Sequence, residues 1–183
     1  MDVASLIAQI HATPTMAVLV VTGGGTQALA DLLAVPGGSR TVLEALIPYS
    51  AKSLAEFLGT SPSQAVSTAT AKELAQAAYQ RALQLRENNT IPVIGVACTA
   101  ALVTDRPKKG EHRAYIGLAH RVTTQVVSLT LEKGARDRTA EERLVSDVML
   151  STLAQGCGLT VTKSFSLGPR DRLCFPDAAA RRD

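Results

Sequence analysis

The run Met16-Ala-Val-Leu-Val-Val-Thr-Gly-Gly-Gly-Thr26 constrains the fold of this chain more than any other segment. Met16 to Val21 is short, apolar and rich in β-branched residues, the pattern of a strand buried on both faces. Thr26-Gln-Ala-Leu-Ala-Asp-Leu-Leu33 has helical spacing. Three glycines between a buried strand and a helix make a strand-turn-helix unit. At such a junction backbone N–H groups can approach a phosphate or carboxylate, and the helix dipole favours the negative charge. The plainer reading is a tight turn whose glycines serve only backbone geometry. Gly23-Gly24-Gly25 fits neither the dinucleotide fingerprint nor the P-loop pattern.

The rest of the chain supplies the partners such a unit needs. Val3, Leu6, Ile7 and Ile10 mark one face of a first helix, which ends before Pro14. Pro36-Gly-Gly-Ser39 is a turn, and Thr41 to Ile47 is a strand closed by Pro48. Ser50 to Leu58 reads as a short helix ending at Gly59. Thr70-Ala-Lys-Glu73 has the form of a capping box, opening a helix with the stripe Leu74, Ala78, Ala82, Leu85. Pro92 to Thr99 is a second continuous apolar strand, expected in the sheet interior with the first. Arg113 to Ala119 and Val127 to Leu131 are further strands, the latter alternating apolar and polar as one covered face requires. Thr139-Ala-Glu-Glu142 reads as another capping box, before a helix burying Val145, Val148, Met149 and Leu153 and stopping at Gly156. The order α-β-α-β-α-α-β-β-β-α predicts a three-layer α/β/α sandwich with a mixed sheet over residues 1–159. For residues 160–183 the expectation is an edge strand at Thr160 to Phe165, then a tail or linker from Gly168.

Composition narrows the function. The 183 residues are 46 % hydrophobic and only 3 % aromatic, which argues for one packed domain and against single-strand nucleic-acid binding through stacked bases. A net charge of +3 is weaker than a nucleic-acid footprint requires. The basic stretches at Arg106-Pro-Lys-Lys109 and at Arg170, Arg172, Arg181 and Arg182 read as solvated loops. No apolar run reaches the roughly 18 residues of a membrane span, and the N-terminus lacks a signal-peptide pattern, so a cytoplasmic protein is expected. Cys98, Cys157 and Cys174 form no CxxC pair, and His11, His112 and His120 are dispersed; neither a metal nor a cofactor is indicated.

Several motifs in order resemble the C-terminal domain family of CinA, the competence-damage-inducible proteins, across roughly residues 5–156. Thr22-Gly-Gly24 is similar to the end of that family's Glu-Ser-Cys-Thr-Gly-Gly motif, and Pro36-Gly-Gly-Ser39 to its Pro-Gly-Ser-Ser turn. Tyr49-Ser50 with Gly59, Ala65-Val66-Ser67 before a helix, and Asp137-Arg138 complete the match. The resemblance implies the α/β/α fold, a homodimer and a nicotinamide mononucleotide amidohydrolase ancestry. The departures fall on the chemistry. The presumed nucleophilic Ser is Val20 here, the preceding Glu is Leu19 and the following Cys is Val21. The family's Lys aligns with Leu54, with Lys52 out of register, and its glycine-rich loop is replaced by Ala97-Cys-Thr-Ala-Ala-Leu102. Its Pro-x-Gly-Thr reads Glu111-His-Arg-Ala114. Covalent amide hydrolysis needs an activated nucleophile, a base and oxyanion donors, and Val20 offers neither of the first two.

The residues left to act are few. Thr22 and Lys52 are weak catalytic candidates; the plainer roles are a turn hydroxyl and a solvated ammonium. Thr22, Gly23, Gly24, Gly25 and Thr26, with Tyr49, Thr99 and Arg138, make the candidate ligand site. Cys98 reads as a buried apolar residue. Arg143 holds an anion or a surface partner such as Glu141 or Glu142, and Arg113 and Tyr115 share one strand face. Three functions follow. The first is a domain without amidohydrolase activity that keeps a glycine-turn site for a small phosphorylated ligand or nucleotide. The second is an amidohydrolase with a relocated nucleophile, and the third is a structural dimerisation module.

Overall fold

The computed structural model describes residues 2–107, 109–162 and 164–176. Lys108 of the basic loop, Lys163, and Arg181 and Arg182 of the tail lie outside the described residues. The elements run α1 (Val3–His11), β1 (Met16–Thr22), α2 (Thr26–Ala34), β2 (Val42–Leu46), α3 (Ala51–Leu58), α4 (Thr68–Leu85), β3 (Val93–Ala101), β4 (His112–Ala119), β5 (Thr124–Leu131), α5 (Arg138–Gly156) and β6 (Arg172–Cys174). The six strands form one sheet in the order β2-β1-β3-β4-β5-β6. β1 is parallel to both β2 and β3; β4, β5 and β6 continue antiparallel. The mixed α/β/α sandwich expected from the sequence is present, with β1 and β3 in the interior.

Those two strands are buried along nearly their whole length because each face meets a helical layer. Ala17, Leu19 and Val21 of β1 join Ile94, Val96 and Cys98 of β3 in the larger core, against α1, α2 and α5. Val18, Val20 and Ala97 face the other way, into a smaller core with Leu54 of α3 and Leu74, Ala75, Ala78 and Ala82 of α4. The alanine stripe lets α4 lie close on the sheet. A side chain at Gly95 or Gly117 would collide with the α4 backbone at Ala75 or Ala71. The alternation in β5 holds as expected: Val127, Leu129 and Leu131 are buried.

Three local expectations need correction. α4 begins three residues earlier than the Thr70-Ala-Lys-Glu73 capping box places it. Its cap is Ser67, whose hydroxyl accepts from the N–H of Thr70. α5 is capped by Asp137, which accepts from the N–H of Ala140, and not by a Thr139-to-Glu142 box. The third is the edge strand: it lies at Arg172–Cys174, and the described residues of Thr160 to Phe165 form none. β6 pairs Arg172, Leu173 and Cys174 with Thr130, Leu129 and Ser128 of β5. The physical reason is the anchor in front of it. Asp171 accepts from the backbone N–H groups of Glu132 (2.9 Å) and Gly168 (2.6 Å) and from Arg136 Nη2 (2.5 Å), which fixes the register of the residues that follow.

Candidate functional site

The parallel strands β1 and β3 end side by side, Thr22 opposite Thr99, and the glycine turn leaves the sheet there. In open α/β sheets this end of the strands is where ligand crevices form. Gly23 has a left-handed φ of 79°, and a Cβ on it would overlap the carbonyl oxygen of Ala100 on β3. Gly25, with φ 97°, occupies the N-cap position of α2. A glycine cap has no side-chain acceptor, so the first N–H groups of α2 need one from elsewhere.

That acceptor is Glu142. Its Oε1 accepts from Gly25 N at 2.9 Å, Gln27 N at 3.1 Å and Thr26 Oγ1 at 3.1 Å. The anion at this helix start is therefore a carboxylate of the same chain. Arg138, one turn earlier on α5, donates to Gly23 O at 2.8 Å and to Val103 O at 3.3 Å, and its Nη2 stands 3.7 Å from Glu142 Oε2. Glu141, fully buried, completes the arrangement from the same helical turn. Its Oε2 accepts from Val103 N at 2.8 Å, and its Oε1 lies 2.7 Å from His112 Nδ1. The start of α5 thus clamps both chain segments that leave the parallel strands: the glycine turn after β1 and, at Val103, the start of the loop after β3.

Of the sequence-derived site residues, Thr22, Gly23, Gly24, Gly25, Thr26 and Arg138 come together here. Thr22 is 7 % exposed at the end of β1. Thr99 is fully buried, and its hydroxyl donates to the carbonyl of Ala65 at 2.6 Å, pinning the loop before α4. Arg113 reaches the same loop through Val66 O at 3.2 Å. Tyr49 is 67 % exposed and Lys52 is exposed; neither hydrogen-bonds to the turn among the described residues. Arg143 pairs with Asp31 at 2.6 Å and Asp147 at 3.0 Å. Cys98 lies under the turn, where a Cβ on Gly25 would meet its Sγ at 3.3 Å. Burial, and after it the negative charge of Glu142, push its thiol far above the ordinary range. His11 bridges two elements: Nε2 donates to Leu32 O at 3.0 Å, and Nδ1 meets Thr41 Oγ1 at 2.7 Å. Sequence reasoning missed Glu142, Glu141 and His112; the adjacent acidic pair was the available signal, and it was absorbed by the capping-box reading.

No family model matches the sequence, and no curated protein matches it. The fold has relatives among solved structures. A CinA superfamily protein from Klebsiella pneumoniae superposes with a TM-score of 0.62 at 11 % identity, over 86 % of this chain and 99 % of that one. The competence/damage-inducible protein CihA from Agrobacterium tumefaciens gives 0.60 at 19 % identity, over 86 % and 93 %. A CinA superfamily protein from Escherichia coli gives 0.58 at 15 %, over 82 % and 83 %. The fold is the one these solved structures share. At these identities the likeness concerns the fold alone. No described helix is long and apolar enough to cross a membrane.

Proposed function

We propose that this CinA-fold domain does not hydrolyse amides, and that its glycine turn is a joint closed by the chain's own carboxylate. The carrying observation is the fate of two positions. Val20 and Leu54, which stand where the resemblance implies a nucleophilic Ser and a Lys, are 0 % and 3 % exposed in one apolar cluster with Val18, Leu74 and Ala78. Hydrocarbon fills the space where a hydroxyl and an ammonium would need water, a base and each other. The remaining hydroxyl, Thr22, has no base hydrogen-bonded to it among the described residues.

The binding function expected of the turn changes character on this reading. The donors suited to a phosphate, Gly25 N and Gln27 N, already have an acceptor in Glu142. A phosphorylated ligand or nucleotide binds at the turn only by displacing that carboxylate. The experiment is incubation with nicotinamide mononucleotide, following ammonia release, beside a thermal-shift series of mononucleotides and inorganic phosphate. No ammonia is expected, and no shift of the wild type by inorganic phosphate through the turn, which Glu142 already closes. Ammonia release abolished by Thr22→Ala would establish the relocated-nucleophile reading instead.

A further inference from the structure

At the opposite end of the sheet, where β1 and β3 begin and β4 ends, lies a cleft of about 960 Å³. Its floor is apolar: Val93, Ile94 and Leu118 are each less than 8 % exposed. Its rim is basic: Arg86 from the end of α4, and His120 and Arg121 from the β4–β5 hairpin. A second hollow of about 660 Å³ shares Tyr79, His120 and Arg121 with the first and adds Lys72 from α4. Among the described residues no aspartate or glutamate lines either hollow.

The cations are also uncompensated. Among the described residues no carboxylate stands within ion-pair distance of Lys72, Arg86 or Arg121, whereas Arg81, one turn before the end of α4, is paired with Glu44 at 2.8 Å. Arg86 is held in place by carbonyl oxygens, donating through Nη1 to Asn89 O at 3.2 Å and Ile91 O at 3.4 Å. Its Nε is buried without a hydrogen-bond partner. A guanidinium fixed by carbonyls and left without a counter-charge is preorganised for an anion. The half-buried ring of Tyr79 and the exposed Val122, 80 % accessible at the hairpin tip, add apolar contact area beside the charges. The volume falls within the roughly 300–1,000 Å³ of small-molecule sites.

We propose that this cleft binds a small organic phosphate: a compact anion held by Arg86, Arg121 and His120, joined to a flat or apolar body seated over Val93, Leu118 and Tyr79. The site is separate from the glycine turn and does not depend on how that turn is read.

The test is isothermal titration of the full chain with adenosine 5′-monophosphate, adenosine and inorganic phosphate as probes. The monophosphate is expected to bind at least tenfold more tightly than either fragment, and more weakly as salt rises. Arg121→Glu, on an exposed hairpin position, is expected to weaken binding at least tenfold. Lys72→Glu reports on the second hollow and should weaken it by a smaller factor. Glu142→Gln and Arg138→Ala, at the other end of the sheet, should leave it unchanged. Circular dichroism checks that each variant is folded. A flat isotherm at millimolar monophosphate, or binding indifferent to Arg121→Glu, overturns the proposal. So does an oligonucleotide that binds the wild type far more tightly than the mononucleotide, which would make the region a polyanion surface.

Discussion

Glu142 Oε1 lies 2.9 Å from the backbone nitrogen of Gly25, across 117 residues of sequence, and supplies the negative charge that the start of α2 calls for. The same oxygen also accepts from Gln27 N and Thr26 Oγ1. Replacement by alanine leaves two backbone donors without an acceptor at the positive end of a helix. Glu142→Ala is expected to cost about 1.5–3 kcal/mol, the range for hydrogen bonds to a charged group. Sulfate or phosphate should recover part of that loss in the variant and do little for the wild type. Chemical denaturation with and without the anion measures both. Equal anion effects on the two proteins would show that Glu142 does not occupy an anion site.

The placement of Val20 gives a prediction about recovering chemistry. Val20→Ser restores the residue type that the resemblance implies, but puts a hydroxyl into a core where Val18, Leu54 and Ala97 are its neighbours in one cluster. Lost apolar burial and an unpaired hydroxyl together cost about 2–4 kcal/mol. No ammonia release from nicotinamide mononucleotide is expected, even in combination with Leu54→Lys. Activity in Val20→Ser alone would mean that the scaffold had kept a base and oxyanion donors, and the account of a filled site would fail.

Much of the fold was legible because the decisive signals are local. Met16 to Val21 and Pro92 to Thr99 are uninterrupted apolar runs, and only burial on both faces explains such runs economically. Ser50 and Gly59 bound α3 as their residue types dictate, with Gly59 at φ 74°. The site was less legible for a physical reason. Thr139-Ala-Glu-Glu142 satisfies the local capping pattern, yet Glu142 turns to a helix far away in sequence because glycine at the α2 cap leaves donors that its own turn cannot satisfy. Thr99 was expected to face a cleft. Its strand position was right, but nothing local announced that the loop at Ala65 would fold over it. The misplaced edge strand has the same origin: β6 is set by the Arg136–Asp171 contact, not by the apolar alternation at Thr160 to Phe165.

That contact carries a pH dependence. Burial opposes the charge on Asp171, but the hydrogen bond from Arg136 and those from Glu132 N and Gly168 N outweigh it and hold the carboxyl below the ordinary aspartate range. A folded-state pKa below the unfolded one stabilises the folded form above the unfolded value, about 4. The contribution is lost as pH falls through the lower, folded value. Acidification is therefore expected to release β6 before the central strands open. Amide exchange at Arg172 to Cys174 should accelerate below about pH 4. Asp171→Asn should remove that acid step and cost about 1–3 kcal/mol at neutral pH. An acid transition unchanged in Asp171→Asn would assign it to another carboxylate.

The buried Glu141 supports the loop after β3 from beneath. Its two oxygens serve different elements, Oε2 accepting from Val103 N and Oε1 meeting His112 Nδ1, so one side chain joins α5, β4 and the loop that follows β3. Alanine there leaves a backbone N–H and an imidazole nitrogen unpartnered in a place closed to water. Each orphaned group costs about 1–3 kcal/mol. Glu141→Gln is a gentler change: the amide keeps one acceptor oxygen for either Val103 N or His112 Nδ1, not both, and offers its NH₂ where an acceptor is needed. The expected order of stability is wild type, then Glu141→Gln, then Glu141→Ala, with amide exchange at Val103 accelerating in the same order. His112→Ala removes only the imidazole link and should leave Val103 protected. If Val103 exchange rose as much in His112→Ala as in Glu141→Ala, the loop would be held through the histidine, and the carboxylate would not be the common anchor.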